Sequence, residues 1–318
     1  MLTYHDARAA VRDALRLSRA MTAKSAVADL PLGGGKGVVM LPAGGPPLDA
    51  ARRRDALLDF GDTVASVDGR YVTAEDVGTS DADMEVIAER TDHVAGLALE
   101  RGGSGDPSPW TALGVAAALR VTGEHAWGSP SLAGRRVAVL GVGHVGEKLA
   151  RLLAAEGAEL LLADVDPAKR ALAGELGAAW AEPADALTAE VDLIAPCALG
   201  GVLDHDTVPA LRCRAVAGAA NNQLAADDIA ALLRSRDIVW APDFVANAGG
   251  IINIAVELEP AGYDPERARA RVVAVGDTLR DVFAMAEAAG TTPLAAAMEL
   301  AARRLAVPRP LPGAPRRR

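Results

Sequence analysis

A glycine-rich turn between an apolar strand and a helix constrains the fold of this chain more than any other feature. The strand reads RVAVL over 136–140, and the segment 141–146 that follows reads GVGHVG and opens a helix. Such a turn predicts a βα unit. Gly141 permits the sharp bend, Gly143 lets a ligand approach the backbone, and Gly146 lets the helix pack closely on the strand. The positive N-terminal end of the helix would face an anion.

An acidic residue at the end of the next strand indicates which anion this is. The apolar stretch 159–163 ends at Asp164, which stands 23 residues after Gly141. A carboxylate there can accept hydrogen bonds from both hydroxyls of an adenosine ribose. Asp166 adds negative charge and disfavours a 2′-phosphate, so the pattern predicts a Rossmann domain that binds NAD. The alternative is a glycine-rich turn of an α/β domain that binds no dinucleotide. The cofactor-binding residues predicted here are Gly141, Gly143, His144, Val145, Gly146 and Asp164.

Strands and helices alternate along the chain and predict the fold class, α/β with a mostly parallel sheet. Further strands are expected at 25–30, 37–40, 71–75, 192–195, 215–217 and 238–240. Helices are expected at 3–21, 49–66, 80–90, 111–122, 264–288 and 292–305. A length of 318 residues predicts two domains. The expected division is an N-terminal α/β domain over 1–112, the Rossmann domain over 113–258, closing C-terminal helices that return toward the first domain over 259–306, and a disordered tail over 307–318.

The acidic balance of the chain argues against one broad class of function. Its formal net charge is -9, and a chain that repels phosphates is a poor candidate for nucleic-acid binding. It has no run of about 18 apolar residues that could span a membrane, and its N-terminal stretch lacks the pattern of a signal peptide. Its two cysteines and five histidines show no metal-site spacing. These features predict a soluble cytoplasmic protein that binds neither nucleic acid, membrane nor metal.

The scarcity of lysine draws attention to the few lysines present. Of 33 basic residues only four are lysines. Arginine keeps its proton in proteins, whereas a buried lysine can have its pKa moved toward neutrality. A lysine retained in so arginine-rich a chain is therefore a candidate for proton chemistry. Lys24 and Lys36 stand twelve residues apart, at either side of a glycine-rich segment.

Six segments taken together resemble the signature of one enzyme family. They are MTAK (21–24), LPLGGGK (30–36), TAEDVGT (73–79), APCALGG (195–201), GAANNQ (218–223) and APDFVANAGG (241–250). In these motifs and their order the chain resembles the glutamate/leucine/phenylalanine/valine dehydrogenase family, up to about residue 305. The segment GGIINI (249–254) is most similar to the leucine and valine enzymes. The resemblance implies that the first domain binds substrate and forms oligomer contacts.

The resemblance assigns the central chemistry to three residues. Lys24 would hold the substrate carboxylate by charge-assisted hydrogen bonds, Lys36 would be the base that activates water, and Asp76 would relay protons to and from the substrate amine. Each has a simpler interpretation: a surface ion pair for Lys24, a phosphate contact for Lys36 and a turn or cap for Asp76. The phosphate contact is disfavoured because a nucleotide P-loop has Ser or Thr after its lysine, where this chain has Gly37.

The remaining site residues follow from the same resemblance. Asn247 would assist with the substrate carboxylate, and Asn222 would orient the nicotinamide carboxamide. Thr111 would lie near the nicotinamide. Cys197, with Ala198 after it, would pack near the cofactor and not act as a nucleophile.

The family implies an NAD-dependent oxidoreductase that deaminates an apolar, branched-chain L-amino acid to the 2-oxo acid and ammonia. Two alternatives stay open. A phenylalanine dehydrogenase is one, because 97–103 and 245–247 look equally like those enzymes. The other is a non-catalytic NAD-binding homologue shortened at its N-terminus, because family members carry a strand before the helix that begins here near Thr3. The family also implies a homo-oligomer, a dimer or larger.

Overall fold

The computed structural model describes residues 1–45 and 48–307. By their internal contacts these residues form two compact units. Unit 1 comprises Met1–Pro107, Ile251–Ala268 and the described residues from Leu305 on, and unit 2 comprises Ser108–Gly250 and Arg269–Arg304. Within the described ranges, the helices are all too short or too polar to cross a lipid bilayer.

Among the described residues the strands have two to five residues each, and the α-helices range from four to 21 residues. The strands found in the described residues are β1 (Leu2–Tyr4), β2 (Met40–Pro42), β3 (Arg136–Leu140), β4 (Glu159–Ala163), β5 (Ala179–Trp180), β6 (Leu193–Pro196), β7 (Ala215–Val216) and β8 (Val239–Trp240). The α-helices found there are α1 (Ala7–Val27), α2 (Ala50–Ser66), α3 (Asp81–Ile87), α4 (Ser108–Trp127), α5 (His144–Ala155), α6 (Arg170–Leu176), α7 (Pro183–Leu187), α8 (Ile229–Ser235), α9 (Asp243–Ala246), α10 (Gly249–Glu257), α11 (Pro265–Val273), α12 (Val275–Ala289) and α13 (Pro293–Leu305).

A six-stranded parallel sheet in the order β5-β4-β3-β6-β7-β8 forms the centre of unit 2. In the central strand β3, Val137, Ala138 and Val139 are fully buried, as expected of a parallel strand covered by helices on both faces. The chain runs outward from β3 through β4 to β5 and then returns to β6 on the other side of β3. Such a reversal leaves a crevice at the carboxyl ends of β3 and β6, where open α/β sheets bind ligands. The predicted α/β class with a Rossmann domain is confirmed.

Unit 1 is built around a smaller apolar core beneath α2 and α3. The buried members of this core are Leu57, Met84, Ile87, Val94 and Leu97. β1 pairs with β2 in parallel, with Leu2 opposite Met40. A capping box begins α3, because the Ser80 side chain accepts from the Asp83 N–H while the Asp83 carboxylate accepts from the Ser80 N–H. The Asp83 carboxylate also accepts hydrogen bonds from the Arg53 guanidinium of α2 at 2.9 and 2.6 Å, which joins the start of α3 to α2.

A buried carboxylate explains why Ile251–Ala268 packs with unit 1. Glu257 accepts hydrogen bonds from the backbone N–H groups of Gly96 (2.8 Å) and Ser104 (2.9 Å). The Asn253 amide donates to the Ser104 carbonyl at 3.2 Å. Buried polar groups need such partners. Along the chain the two units part after Pro107, Gly250, Ala268 and Arg304. The domain bounds expected from the sequence, 1–112, 113–258 and 259–306, stay predictions.

The N-terminal helix is longer than its sequence pattern predicted. Asp6 caps α1 by accepting from the Ala9 N–H at 2.7 Å, and the helix continues to Val27. The prediction of a strand at 25–30 is therefore wrong, because a short apolar run does not distinguish a strand from the buried end of a helix. The strand expected at 37–40 lies later, at Met40–Pro42, where β1 provides its pairing partner.

Several other predicted elements differ from the observed ones. Residues 71–75 form no strand and contribute one isolated bridge, between Thr73 and Val94. The two-residue strand β5 was not predicted. The helix expected over 264–288 is divided into α11 and α12, which meet at Ala274. The predicted tail lies outside the described residues apart from Val307.

Candidate active site

The loop that carries Lys36 is packed on both sides at its glycines. A side chain at Gly34 would collide with the backbone of α1 at Ser18 and Thr22, and the Ser18 hydroxyl donates to the Gly34 carbonyl at 2.7 Å. A side chain at Gly35 would stand 2.7 Å from the Tyr71 ring. These glycines allow contacts that any Cβ would prevent, so the backbone on the N-terminal side of Lys36 lies close against its neighbours.

Lys36 and Asp76 form an ion pair within unit 1. The Lys36 side chain is 21% exposed and the Asp76 side chain 48%, so the lysine is sheltered while the carboxylate reaches solvent. Thirty-nine residues lie between the two positions, yet the fold brings a candidate base and a candidate proton relay into direct contact. Such a pair can pass a proton between its members and a bound substrate.

Burial is the largest influence on Lys36. It lowers the pKa of the Lys36 ammonium below its ordinary value, and the charge of Asp13 partly opposes this change. Desolvation disfavours the charged form of an amine. The lowered pKa of Lys36 therefore rests on burial.

Asp76 also shapes its own turn. Its Oδ1 accepts from the Val77 N–H at 2.7 Å, and its carbonyl accepts from the Thr79 hydroxyl, also at 2.7 Å. The turn role considered for this residue and its contact with Lys36 therefore coexist, since they use different oxygens.

Lys24 lies in the last turn of α1, the helix against which Gly34 packs. Its backbone carbonyl accepts from the Ala28 N–H at 3.1 Å. The helix thus fixes the positions of Lys24 and the Lys36 loop through one element of unit 1.

The predicted cofactor loop in unit 2 uses its three glycines differently. Gly141 has φ +98°, a backbone conformation that side chains disfavour. A side chain at Gly146 would collide with the Gly141 carbonyl, whereas one at Gly143 would meet no atom within 4 Å. Helix α5 begins at His144, with Val145 behind it. The loop therefore presents an open backbone face at Gly143, beside a helix N-terminus suited to a phosphate.

Asp164 is fixed beside this loop. Its Oδ2 accepts from the Val142 N–H at 2.8 Å and its Oδ1 from the Asp166 N–H at 2.9 Å. A carboxylate oxygen has more than one lone pair, so both oxygens keep the capacity to accept from ribose hydroxyls. The donors, the charge and the open backbone together fit a dinucleotide.

Two apolar residues at the same end of the sheet were missed in the sequence. Val165 follows Asp164 after β4 and is 89% exposed, and Leu199 follows β6 and is 82% exposed. Large apolar side chains this exposed at a ligand-binding edge suit the faces of an adenine ring. The available signal was their position, two and three residues after strands that end at the predicted crevice.

Asn247 is oriented by its own hydrogen bonds. Its Nδ2 donates to the Ala219 carbonyl at 3.0 Å and to Asn221 Oδ1 at 2.9 Å. A carbonyl only accepts, so the nitrogen must face Ala219. The buried Oδ1 has no hydrogen-bond partner among the described residues. In this arrangement Asn247 offers an acceptor, and donation to a carboxylate requires the amide to release one of its two bonds.

The other predicted residues lie on loops and helix ends of unit 2. Asn222 has φ +52° in the loop after β7, and its carbonyl accepts from the Gly201 N–H at 2.7 Å. Thr111, in the first turn of α4, lies against Gly249, where a Cβ would stand 3.1 Å from the Thr111 Cα. The structure therefore places Thr111 beside the end of the 241–250 motif.

Cys197 and Ala198 lie directly behind the glycine turn. A side chain at Gly146 would approach Cys197 to 3.3 Å, and one at Gly141 would stand 2.6 Å from the Ala198 Cβ. Burial raises the pKa of Cys197 to about 12. A thiol with that pKa stays protonated at neutral pH, which suits packing and not nucleophilic attack.

Comparison with known proteins identifies the family. Residues 2–93 match the Glu/Leu/Phe/Val dehydrogenase dimerisation domain, and residues 162–309 match the glutamate/leucine/phenylalanine/valine dehydrogenase domain. The leucine dehydrogenase of Geobacillus stearothermophilus is 44% identical over 289 residues, which cover 90% of this chain and 77% of that protein. The chain belongs to the glutamate/leucine/phenylalanine/valine dehydrogenase family. The predicted resemblance and the oxidoreductase class are confirmed.

Two further proteins are similar to this chain over most of its length. The valine dehydrogenase of Streptomyces virginiae is 45% identical over 300 residues, covering 93% of this chain and 82% of that protein. The structure of L-tryptophan dehydrogenase from Nostoc punctiforme superposes with a TM-score of 0.81 at 38% identity, covering 96% of this chain and 86% of that one. Residues 115–200 match the NAD binding domain of D-isomer specific 2-hydroxyacid dehydrogenases. The NAD cofactor predicted for this dehydrogenase is confirmed.

Proposed function

We propose that this dehydrogenase deaminates a branched-chain L-amino acid, with NAD as the oxidant, to the 2-oxo acid and ammonia. The observation that carries the proposal is the Lys36–Asp76 ion pair, whose lysine has its pKa lowered by burial. The leucine and valine dehydrogenases, at 44% and 45% identity, support a branched-chain substrate.

Lys36 acts on the water that attacks the oxidised substrate. A neutral Lys36 amine takes a proton from this water while the new C–O bond forms at the iminium carbon. Because burial lowers the pKa of Lys36, the neutral form is present at a lower pH than for an exposed lysine. Positioned proton transfer of this kind contributes about 10²–10⁴ in rate.

Asp76 handles the protons of the substrate nitrogen. Its carboxylate takes a proton from the substrate ammonium before oxidation and returns one to the leaving amine before ammonia departs. Direct contact with Lys36 lets the two residues share the proton between steps. Lys24 binds the substrate carboxylate, since a lysine can donate charge-assisted hydrogen bonds to it.

Asn247 contributes an acceptor in its present arrangement. Its orphaned Oδ1 suits an amine or amide donor, and its predicted contact with the substrate carboxylate needs a rearranged amide. The roles of Asn222 and Thr111 near the nicotinamide remain predictions, as does the packing of Cys197 and Ala198 near the cofactor.

The cofactor is held by the carboxyl edge of the sheet in unit 2. The backbone at Gly143 and the start of α5 at His144 receive the pyrophosphate, and Asp164 accepts from the adenosine ribose. When bound, NAD accepts the hydride that leaves the amino-acid Cα. Val165 and Leu199 provide apolar contact for the adenine.

Two broader features belong to this proposal. A homo-oligomer is expected, and the match of residues 2–93 to a dimerisation domain supports it. A cytoplasmic location, expected from the sequence, stays a prediction.

The proposal is tested by NADH absorbance with purified protein at alkaline pH. Leucine, valine, isoleucine, phenylalanine, tryptophan and glutamate are compared by kcat/KM, together with NADH binding by fluorescence. We expect the branched-chain substrates to rank first. A first rank for phenylalanine or tryptophan would replace the substrate assignment, and NADH binding without turnover on any amino acid would favour the non-catalytic alternative.

A matched pair of lysine variants then tests the residue assignment. Lys36→Ala should lose turnover by about 10²-fold or more while it keeps NADH affinity. Lys169→Ala, which removes a lysine of unit 2 from a short turn after β4, should keep both. Full turnover in Lys36→Ala would contradict the role of this lysine.

A further inference from the structure

Tyr71 contacts the loop on both sides of Lys36. Its ring lies against Gly35, where a side chain would stand 2.7 Å from Cδ2 and 2.9 Å from Cε2. Its hydroxyl accepts a hydrogen bond from the Gly37 N–H at 2.8 Å. One side chain, distant in sequence, therefore holds the residues immediately before and after Lys36.

The segment that carries Tyr71 is itself anchored. Thr73 donates its N–H to the His93 carbonyl at 3.0 Å and accepts from the Ala95 N–H at 2.8 Å. Asp76 follows on the same segment and pairs with Lys36. One anchored segment thus contacts the Lys36 loop twice: Tyr71 contacts the loop backbone, and Asp76 pairs with the Lys36 ammonium.

We propose that Tyr71 is a positioning residue that sets the place of Lys36 relative to Asp76 by clamping Gly35 and Gly37. This inference rests on the proposed function, in which Lys36 is the base. The ring fills the space beside Gly35, and the hydroxyl fixes the peptide that follows Lys36. The exact placement of a catalytic group affects its rate, since a displacement of about 1 Å can cost about 10²-fold.

The hydroxyl can be separated from the ring by Tyr71→Phe. This change keeps the packing against Gly35 and removes the acceptor for Gly37. A matched control is Tyr263→Phe, which removes the hydrogen bond from the Tyr263 hydroxyl to Asn253 Oδ1 (2.7 Å) in the same unit. If the hydroxyl of Tyr71 served stability alone, both variants would lower the unfolding midpoint and leave the chemistry of Lys36 unchanged.

The decisive readout is the titration of Lys36 itself, by NMR of protein whose lysines carry ¹³C-methyl groups. Four lysines and the amino group of Met1 take the label and give a simple spectrum, and Lys36→Arg identifies the Lys36 signal. The charged groups that act on Lys36 or respond to it are Asp76, Asp13 on α1 and the amino group of Met1. We expect Tyr71→Phe to raise the midpoint of the Lys36 signal by about half a unit or more, because a released side chain regains water.

Tyr263→Phe should leave that midpoint in place, and Tyr71→Phe should also lower kcat about tenfold with a smaller change in KM. An unchanged Lys36 titration in Tyr71→Phe overturns the inference, even if kcat falls. Gly35→Ala provides a second variant, since its Cβ would press on the Tyr71 ring; it should move the Lys36 signal in the same direction. The NMR titration needs no turnover. A wild-type protein inactive on every amino acid would therefore refute the proposed function, and the titration of Lys36 in Tyr71→Phe would still test the role of Tyr71.

Discussion

At the scale of single residues, the ability to lose a proton separates Lys36 from the arginines that dominate this chain. Burial lowers the pKa of Lys36, so its neutral fraction at a given pH is larger than that of an exposed lysine. A base acts in its neutral form, and the rate of deamination is therefore expected to rise with pH through that lowered pKa and to level off above it.

Lys36→Arg keeps the positive charge and removes the base. We expect a loss of about 10²-fold or more in kcat at every pH, because a guanidinium does not deprotonate in this range. The pH dependence of kcat/KM checks this for both proteins, with NADH affinity as the control. A variant that regained wild-type rates at high pH would show that the base is another group.

Asp164→Asn tests the choice between the two nicotinamide cofactors. The change removes a negative charge from the position expected to meet the ribose, so repulsion of a 2′-phosphate falls and one ribose acceptor is lost. The ratio of the Kd for NADPH to the Kd for NADH should fall about tenfold or more, which is about 1.4 kcal/mol. Fluorescence titration measures both constants. Asp185→Asn, an exposed acid on α7, should leave the ratio unchanged.

At the scale of elements, the glycine run before Lys36 contains two neighbours with opposite surroundings. A side chain at Gly34 would collide with α1, whereas one at Gly33 would meet nothing within 4 Å. Gly34→Ala should therefore destabilise the protein by about 1–3 kcal/mol and lower turnover by displacing the loop. Gly33→Ala should do neither. Denaturant unfolding and kcat distinguish them, and equal behaviour of the two variants would mean that the loop is not packed on α1.

The cofactor turn offers a second pair. Gly146→Ala places a Cβ against the Gly141 carbonyl and should reduce stability and NADH affinity together, because helix and strand are forced apart. Gly143→Ala faces open space, so it should unfold at the wild-type midpoint and still bind NADH more weakly, since the methyl group occupies the approach of the pyrophosphate. Thermal unfolding with and without NADH measures both effects. Unaltered NADH affinity in Gly143→Ala would place the pyrophosphate elsewhere.

At the scale of the whole molecule, the outer face of α1 bears on assembly. Val11 and Leu15 stand one turn apart there and are 59% and 67% exposed. If this face is buried between copies of the chain, Val11→Asp with Leu15→Asp should lower the mass measured by sedimentation equilibrium. Val165→Asp, on a still more exposed apolar residue of unit 2, should leave the mass unchanged. An unaltered mass in the double variant would place the contact on another surface.

A comparison of the predicted with the observed elements shows how much of the fold the sequence could predict. Strands β3 and β4 were predicted to the residue, because each is a continuous apolar run bounded by glycine or a charged residue. The glycine turn and Asp164 were predicted because their spacing is local to one βα unit. The strand expected at 25–30 failed because the same apolar residues can end a buried helix. Strand β5 was missed because the stretch 178–181 contains no β-branched residue, unlike the equally short β7 and β8, which were predicted.

For the candidate site, the sequence by itself determined which residue types were available: a rare lysine after three glycines, an aspartate in a motif, and a strand-glycine-helix turn ending near an acid. These signals each lie within a short segment, so they can be recognised in the sequence without the fold. Only the tertiary structure decided that Lys36 contacts Asp76 and is sheltered from water, and that Tyr71 contacts the residues on both sides of Lys36. It also decided that the Asn247 nitrogen is bonded while its oxygen has no hydrogen-bond partner among the described residues. Each depends on contacts between residues distant in the chain, and burial and hydrogen-bond direction exist only once those contacts have formed.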